Sequence, residues 1–116
     1  MVKRKVIRAI GFLETCLKEK GLNISRIILF GSQAYGKVTH ESDVDIAIIS
    51  NDFKDKDIFE RARLTKDAEI MTLKKFMMPL DIITLTSEEF ENRNSLIAEY
   101  ARKGIVVYAP ESKMTN

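Results

Sequence analysis

Three aspartates and one glycine–serine pair are the residues whose types and spacing could do chemistry. Asp43 and Asp45 stand two apart in Ser42-Asp43-Val44-Asp45-Ile46. In a strand, residues two apart leave the same face, so both carboxylates point together while Val44, Ile46 and Ile48 are free to enter a core. Adjacent like charges disfavour a strand. A shared divalent cation stabilises them, and carboxylate oxygens are the donors magnesium prefers. The plainer alternative is a polar turn residue followed by a surface ion-pair partner. Asp81 opens an otherwise apolar run, Leu80 to Leu85, just after Pro79. Alternation places it with Ile83 and Leu85, opposite Leu80 and Ile82. If that run neighbours the Asp43–Asp45 strand, three carboxylates meet on one patch, enough for two magnesium ions. Otherwise Asp81 is a solvent-facing strand start.

Gly31-Ser32 follows the apolar run Ile24–Phe30. Glycine lets the backbone turn sharply and a ligand come close. Unpaired amides at the start of a following helical turn, with the Ser32 hydroxyl, would suit a phosphate. A serine-capped strand-to-helix turn is the competing reading. Ten residues separate Ser32 from Asp43.

The elements that must position these residues follow from periodicity. Val6, Ile7, Ile10, Leu13 and Leu17 recur at helical spacing, predicting an amphipathic helix over 3–20, stopped by Gly21. Residues 24–30 predict a buried strand, and 33–41 a short helical turn and a loop. Residues 43–50 predict a second strand. Phe59, Leu64, Ala68, Met71 and Leu73 suggest a helix from about 55 to 76 with a break near Thr65, and Pro79 lies just beyond it. Residues 80–85 are a third strand. Thr86-Ser87-Glu88-Glu89 is a capping box opening one helix whose Phe90, Ile97, Ala98 and Ala101 share a stripe. Gly104 ends that helix, and Ile105–Tyr108 is a fourth strand. The expectation is α/β (α+β): one small mixed sheet of about four strands flanked by helices. The domain would span 1–109, with a polar, frayed tail over 110–116.

Composition bounds the function. The 116 residues are 45% hydrophobic and 31% charged, ordinary for a globular protein that buries its own core. A net charge of +2 suits an anionic substrate but is far from the basic stripe of a dedicated nucleic-acid binder, so stable DNA binding is not expected. No run approaches the length of a membrane span, and no signal peptide is visible. The lone Cys16 cannot form an internal disulfide and reads as a buried thiol in a reducing, cytoplasmic setting. His40, the only histidine, reads as a loop residue. Lys54-Asp55-Lys56-Asp57 reads as a solvated loop or helix start. Arg61, Arg63, Lys66, Lys74 and Lys75 read as the wet face of the long helix, and Met71, Met77 and Met78 as core or partner surface.

Gly31-Ser32, ten residues, then Asp-x-Asp resembles the signature of the polymerase-β-like nucleotidyltransferase superfamily. Leu29-Phe30-Gly31-Ser32-x-Ala34 and Ser42-Asp43-x-Asp45-Ile46 look like the wording of its smallest branch, the minimal nucleotidyltransferases. Asp81 falls where that branch keeps a third carboxylate, and Gly104–Tyr108 is similar to its closing strand. The resemblance implies a nucleotidyltransferase fold and a catalytic layout. Gly31 and Ser32, with Ser42, would hold the nucleotide. Asp43 and Asp45 would bind two Mg2+ ions. Asp81 would bind the catalytic ion and help deprotonate an acceptor hydroxyl. ATP would be the donor and pyrophosphate the leaving group. Many relatives carry arginine where this chain has Tyr35, so nucleotide affinity or orientation could differ, with Lys37 able to supply charge. The branch is similar to antitoxins that add AMP to a tyrosine of a helical HEPN-domain toxin, which makes such a toxin the expected partner. A toxin-covering protein without catalysis and an aminoglycoside-type transferase are the alternatives. An oligomer is compatible with the sequence.

Overall fold

The computed structural model describes residues 2–31, 34 and 43–109. Its order is α1 (Arg4–Glu19), β1 (Arg26–Phe30), β2 (Val44–Ile49), α2 (Ile58–Phe76), β3 (Leu80–Leu85), α3 (Ser87–Phe90), α4 (Leu96–Arg102) and β4 (Ile105–Tyr108), with a 3-10 turn at Asn51–Phe53. The strands form one sheet in the order β3-β2-β1-β4. β1 runs antiparallel to both β2 and β4, while β2 and β3 are parallel, joined by the α2 crossover. This is the expected small mixed sheet of four strands with flanking helices.

Both faces of the sheet are covered, and the alternation of the strands divides the core in two. Ile27 and Leu29, Val44, Ile46 and Ile48, and Leu80 face α1 and α2, meeting Val6, Ile10, Leu13, Leu17 and Ala68. Ile28, Ala47, Ile49 and Leu85 face the other way, toward Phe90 of α3 and Ala101 of α4. Cys16 is buried in the first cluster, as expected, and that burial pushes its thiol pKa up, with Glu19 adding to the effect. A buried, protonated thiol is a packing residue.

Local chemistry sets the helix ends. Gly21, at φ 90, closes the end of α1. Asp57 caps α2 by accepting from Glu60 N, while the Glu60 side chain accepts from Asp57 N. The capping box expected at Thr86–Glu89 is present. The helix it opens is shorter than expected. Asn92 Oδ1 accepts from Asn94 N, and Ser95 starts a new helix by accepting from Ala98 N. Side chains that satisfy backbone groups locally interrupt a helix, so the single helix foreseen after Thr86 is two. Conversely, no break occurs near Thr65. Its hydroxyl donates to Ala62 O and its side chain is buried within a continuous α2.

Burial on α2 also departs from expectation. The buried stripe is Thr65, Ala68 and Thr72, so Phe59, Met71 and Leu73 are exposed, as is Ile97 on α4. Arg61 is not on a wet face. Its side chain is only 12% exposed. It donates two hydrogen bonds to Glu89, at 2.7 and 2.9 Å, and others to Lys56 O and Thr84 O. It therefore locks α2 to the start of α3 across the end of β3. Among the described residues no helix is long and apolar enough to cross a membrane.

Candidate active site

The site lies where β1 ends and β2 and β3 begin. Because β1 and β2 are antiparallel, Phe30 pairs with Asp45. Because β2 and β3 are parallel, Asp45 pairs with Asp81, and the flanking pairs Val44–Leu80 and Ile46–Ile82 confirm the register. The bond from Val44 N to Pro79 O, 3.2 Å, carries this alignment to the edge of the site. Directly paired residues on neighbouring strands put their side chains on one face, so Asp45 and Asp81 emerge together on the α3/α4 side. Asp43 stands exposed just before β2.

Electrostatics register this proximity. Burial pushes the Asp45 carboxyl above the usual aspartate range; the Asp81 charge, hydrogen bonding to Asp81 and the Asp43 charge push it the same way. The Asp81 charge also reaches Glu69 on α2, whose carboxyl is raised first by burial and then by Asp81. Like charges this close destabilise one another. The folded protein thus holds an acidic patch that a cation would relieve. The oxygen donors are of the kind that bind magnesium. Among the described residues, however, no group of three or more acidic, cysteine or histidine side chains is arranged to hold a metal ion. What exists is a cross-strand aspartate pair with a third aspartate within electrostatic reach.

Gly31 follows β1 in the left-handed region, at φ 74. A Cβ built there would overlap Asp45 Oδ2 and sit 3.1 Å from its Cγ. Glycine is therefore required twice, by backbone conformation and by the carboxylate packed against it. Ala34 donates from its amide to Gly31 O at 3.1 Å and is buried in the α1/α2 core, so the chain turns back beneath the site at once. Ser32 and Ser42, the other two expected nucleotide-binding residues, lie outside the described residues, as do Tyr35, Lys37 and His40 and the tail over 110–116.

Two contributors at the site, Glu69 and Gly104, and one lock at the far end of β3, Arg61, depend on contacts distant along the chain. Glu69 reads as an ordinary helix residue; only the crossover brings it near Asp81. Gly104 reads as a helix stop, yet a Cβ there would overlap Leu29 O and lie 2.7 Å from Ile28 Cγ2. It lets the start of β4 press against the strand that ends in Gly31. Arg61 needed its partner, 28 residues away, to be recognised. A separate groove of about 390 Å³, lined by Lys20, Leu22, Lys56, Arg63 and Asp67 among others, lies at the opposite end of the strands from the aspartates.

Residues 12–109 match the family described as the nucleotidyltransferase domain, which covers most of the chain. The chain belongs to the nucleotidyltransferase domain family. It is similar in fold to a candidate nucleotidyltransferase from Sulfolobus solfataricus, solved by crystallography. The two share 19% sequence identity with a TM-score of 0.55, over 96% of this chain and 92% of the other. No curated protein matches the chain in sequence. The match places all four described site residues, Gly31, Asp43, Asp45 and Asp81, inside the family's span.

Proposed function

We propose that the protein transfers AMP from ATP to an acceptor hydroxyl in a Mg2+-dependent reaction, and that the acceptor is a tyrosine of a partner protein, a HEPN-domain toxin, so that the chain acts as an antitoxin. One observation carries the reading: Asp45 and Asp81 are register partners on parallel strands, with the Gly31 backbone packed against Asp45, in a chain of the nucleotidyltransferase domain family.

Asp43, Asp45 and Asp81 would hold the magnesium, with two ions as the working number. The bound ions would neutralise triphosphate charge and activate the attacking oxygen for in-line displacement at the α-phosphorus, with pyrophosphate leaving. The chain's own residues would do the rest. Asp45, pushed toward protonation by burial and then by Asp81 and Asp43, would serve as a ligand in its ionised form. Asp81 would accept the proton of the acceptor hydroxyl, as a carboxylate at the strand edge facing that oxygen can. Gly31 would let the Asp45 carboxylate lie against the turn, and Gly31, Ser32 and Ser42 would hold the phosphate oxygens. The reaction forms one P–O bond to the acceptor and breaks the bond between the α- and β-phosphates.

The experiment is mass spectrometry of candidate partner proteins incubated with this protein, ATP and Mg2+. The expected result is an AMP mass increment on a partner tyrosine, lost with Asp45→Asn and with Asp81→Asn. An increment of equal size with both variants would refute the assigned chemistry. Nucleotide transfer to a small molecule but to no protein would keep the transferase and discard the antitoxin role.

A further inference from the structure

The long helix α2 carries a partly apolar seam that none of the described residues covers. Phe59 is 72% exposed and Met77 is 78% exposed, and Ile58, Ile70 and Leu73 are exposed with them. The spacing is regular. Phe59, Ala62, Lys66, Glu69 and Leu73 recur every three or four residues along one side of Ile58–Phe76, flanking the buried stripe, with Glu69 half-buried at its border. That is the spacing of a seam that packs against another helix. A solvated helix face does not normally carry this much apolar surface.

The order of residues along the seam identifies the occupant. Reversed end for end, it complements itself. With the centre between Ala68 and Asp67, Ala62 falls opposite Leu73, a small side chain against a large one. Phe59 falls opposite the end of the helix, where Met77 is exposed and Phe76 is packed edge-on against Phe12 of α1. The two charged positions, Lys66 and Glu69, fall opposite each other with unlike signs. A parallel arrangement would instead set Lys66 on Lys66 and Glu69 on Glu69, which like-charge repulsion disfavours.

We propose that α2 is a self-association surface, through which two copies of the chain pair antiparallel about a two-fold axis, Lys66 of each copy against Glu69 of the other. Such an interface is isologous, the commonest kind in homo-oligomers. A 19-residue helix is about 28 Å long, and one helix pair of that length buries an area near the lower end of specific interfaces, about 1,200 Å² in total. The pairing is therefore a reversible dimer. Glu69 stands within electrostatic reach of Asp81, so dimerisation brings a lysine of the second copy to the rim of the acidic site.

Sedimentation velocity over a concentration series tests this, with circular dichroism to show that each variant is folded. Wild type is expected to move from monomer to dimer as concentration rises. Lys66→Glu and Glu69→Lys each place like charges in contact twice across the axis and should weaken dimerisation roughly tenfold or more. The double variant Lys66→Glu/Glu69→Lys reverses both charges and should restore it. Leu73→Glu, which buries a charge in the seam, should give a monomer in either background. A wild-type chain that stays monomeric at every concentration would overturn the proposal and leave the seam to a different protein. A dimer insensitive to both single variants, or a double variant that fails to recover, would equally overturn it.

Discussion

Substituting Gly31 with alanine tests the geometry of the site without touching a carboxylate. Two costs arise, and they are separable. The backbone at φ 74 disfavours any residue with a Cβ, by about 1–2 kcal/mol. The new methyl group also overlaps Asp45 Oδ2. Relieving that overlap means moving Asp45 or the end of β1, an overpacking cost of about 1–3 kcal/mol. Gly31→Ala should therefore destabilise the protein by about 2–5 kcal/mol. In an Asp45→Ala background the obstacle is gone and only the backbone cost remains, about 1–2 kcal/mol. Urea denaturation of the four proteins of this cycle measures the difference, which should be an interaction of about 1–3 kcal/mol between positions 31 and 45. If Gly31→Ala costs the same in both backgrounds, the turn does not pack against Asp45, and the account of how the site is built fails.

Two further predictions concern charge. The Asp45 carboxyl is raised in the folded state, so its contribution to stability is fully present below the usual aspartate range and is lost as pH rises through its folded-state titration. Relative to Asp45→Asn, wild type without divalent ions should lose stability over that rise, and Mg2+ should offset the loss; parallel pH profiles with and without Mg2+ would disprove this. Arg61→Ala removes a guanidinium that ties three elements together and should cost about 1–3 kcal/mol in thermal or chemical unfolding, while Arg63→Ala, an exposed neighbour on the same helix, should change stability by less than about 0.5 kcal/mol.

The features that could be read from the sequence are those that depend on neighbours along the chain. The four strands, the long helices and the capping box at Thr86 each follow from periodicity or from a cap three residues away. The pairing of Asp45 with Asp81 was expected only conditionally, because alternation says which face a residue occupies but not which strands are adjacent. The errors share a cause. The spacing of Phe59, Met71 and Leu73 says that the segment is helical but not which side is buried, and α2 is anchored by its small side chains Thr65, Ala68 and Thr72. Arg61 looked like solvent-facing charge because Glu89 belongs to a different element. The helix after Thr86 was drawn too long because Asn92 and Ser95 cap locally, a signal that was present in the sequence and outweighed by the apolar stripe.

The parallel ladder between β2 and β3 also constrains how this chain can vary. The two aspartates meet because each backbone rung from Val44–Leu80 to Ile49–Leu85 is in step. A slip of one rung would place Leu80 or Ile82 beside Asp45 and turn Asp81 through to the α1/α2 side. A slip of two would keep the side but carry the acids roughly 6.6 Å apart along the strand. Nothing at the aspartates themselves prevents either. The spacing is held by the length of the α2 crossover and by the short Met77-Met78-Pro79 return, whose Pro79 carbonyl takes the first bond of the ladder. A single residue inserted there would leave the motif intact on paper and the acids apart in space.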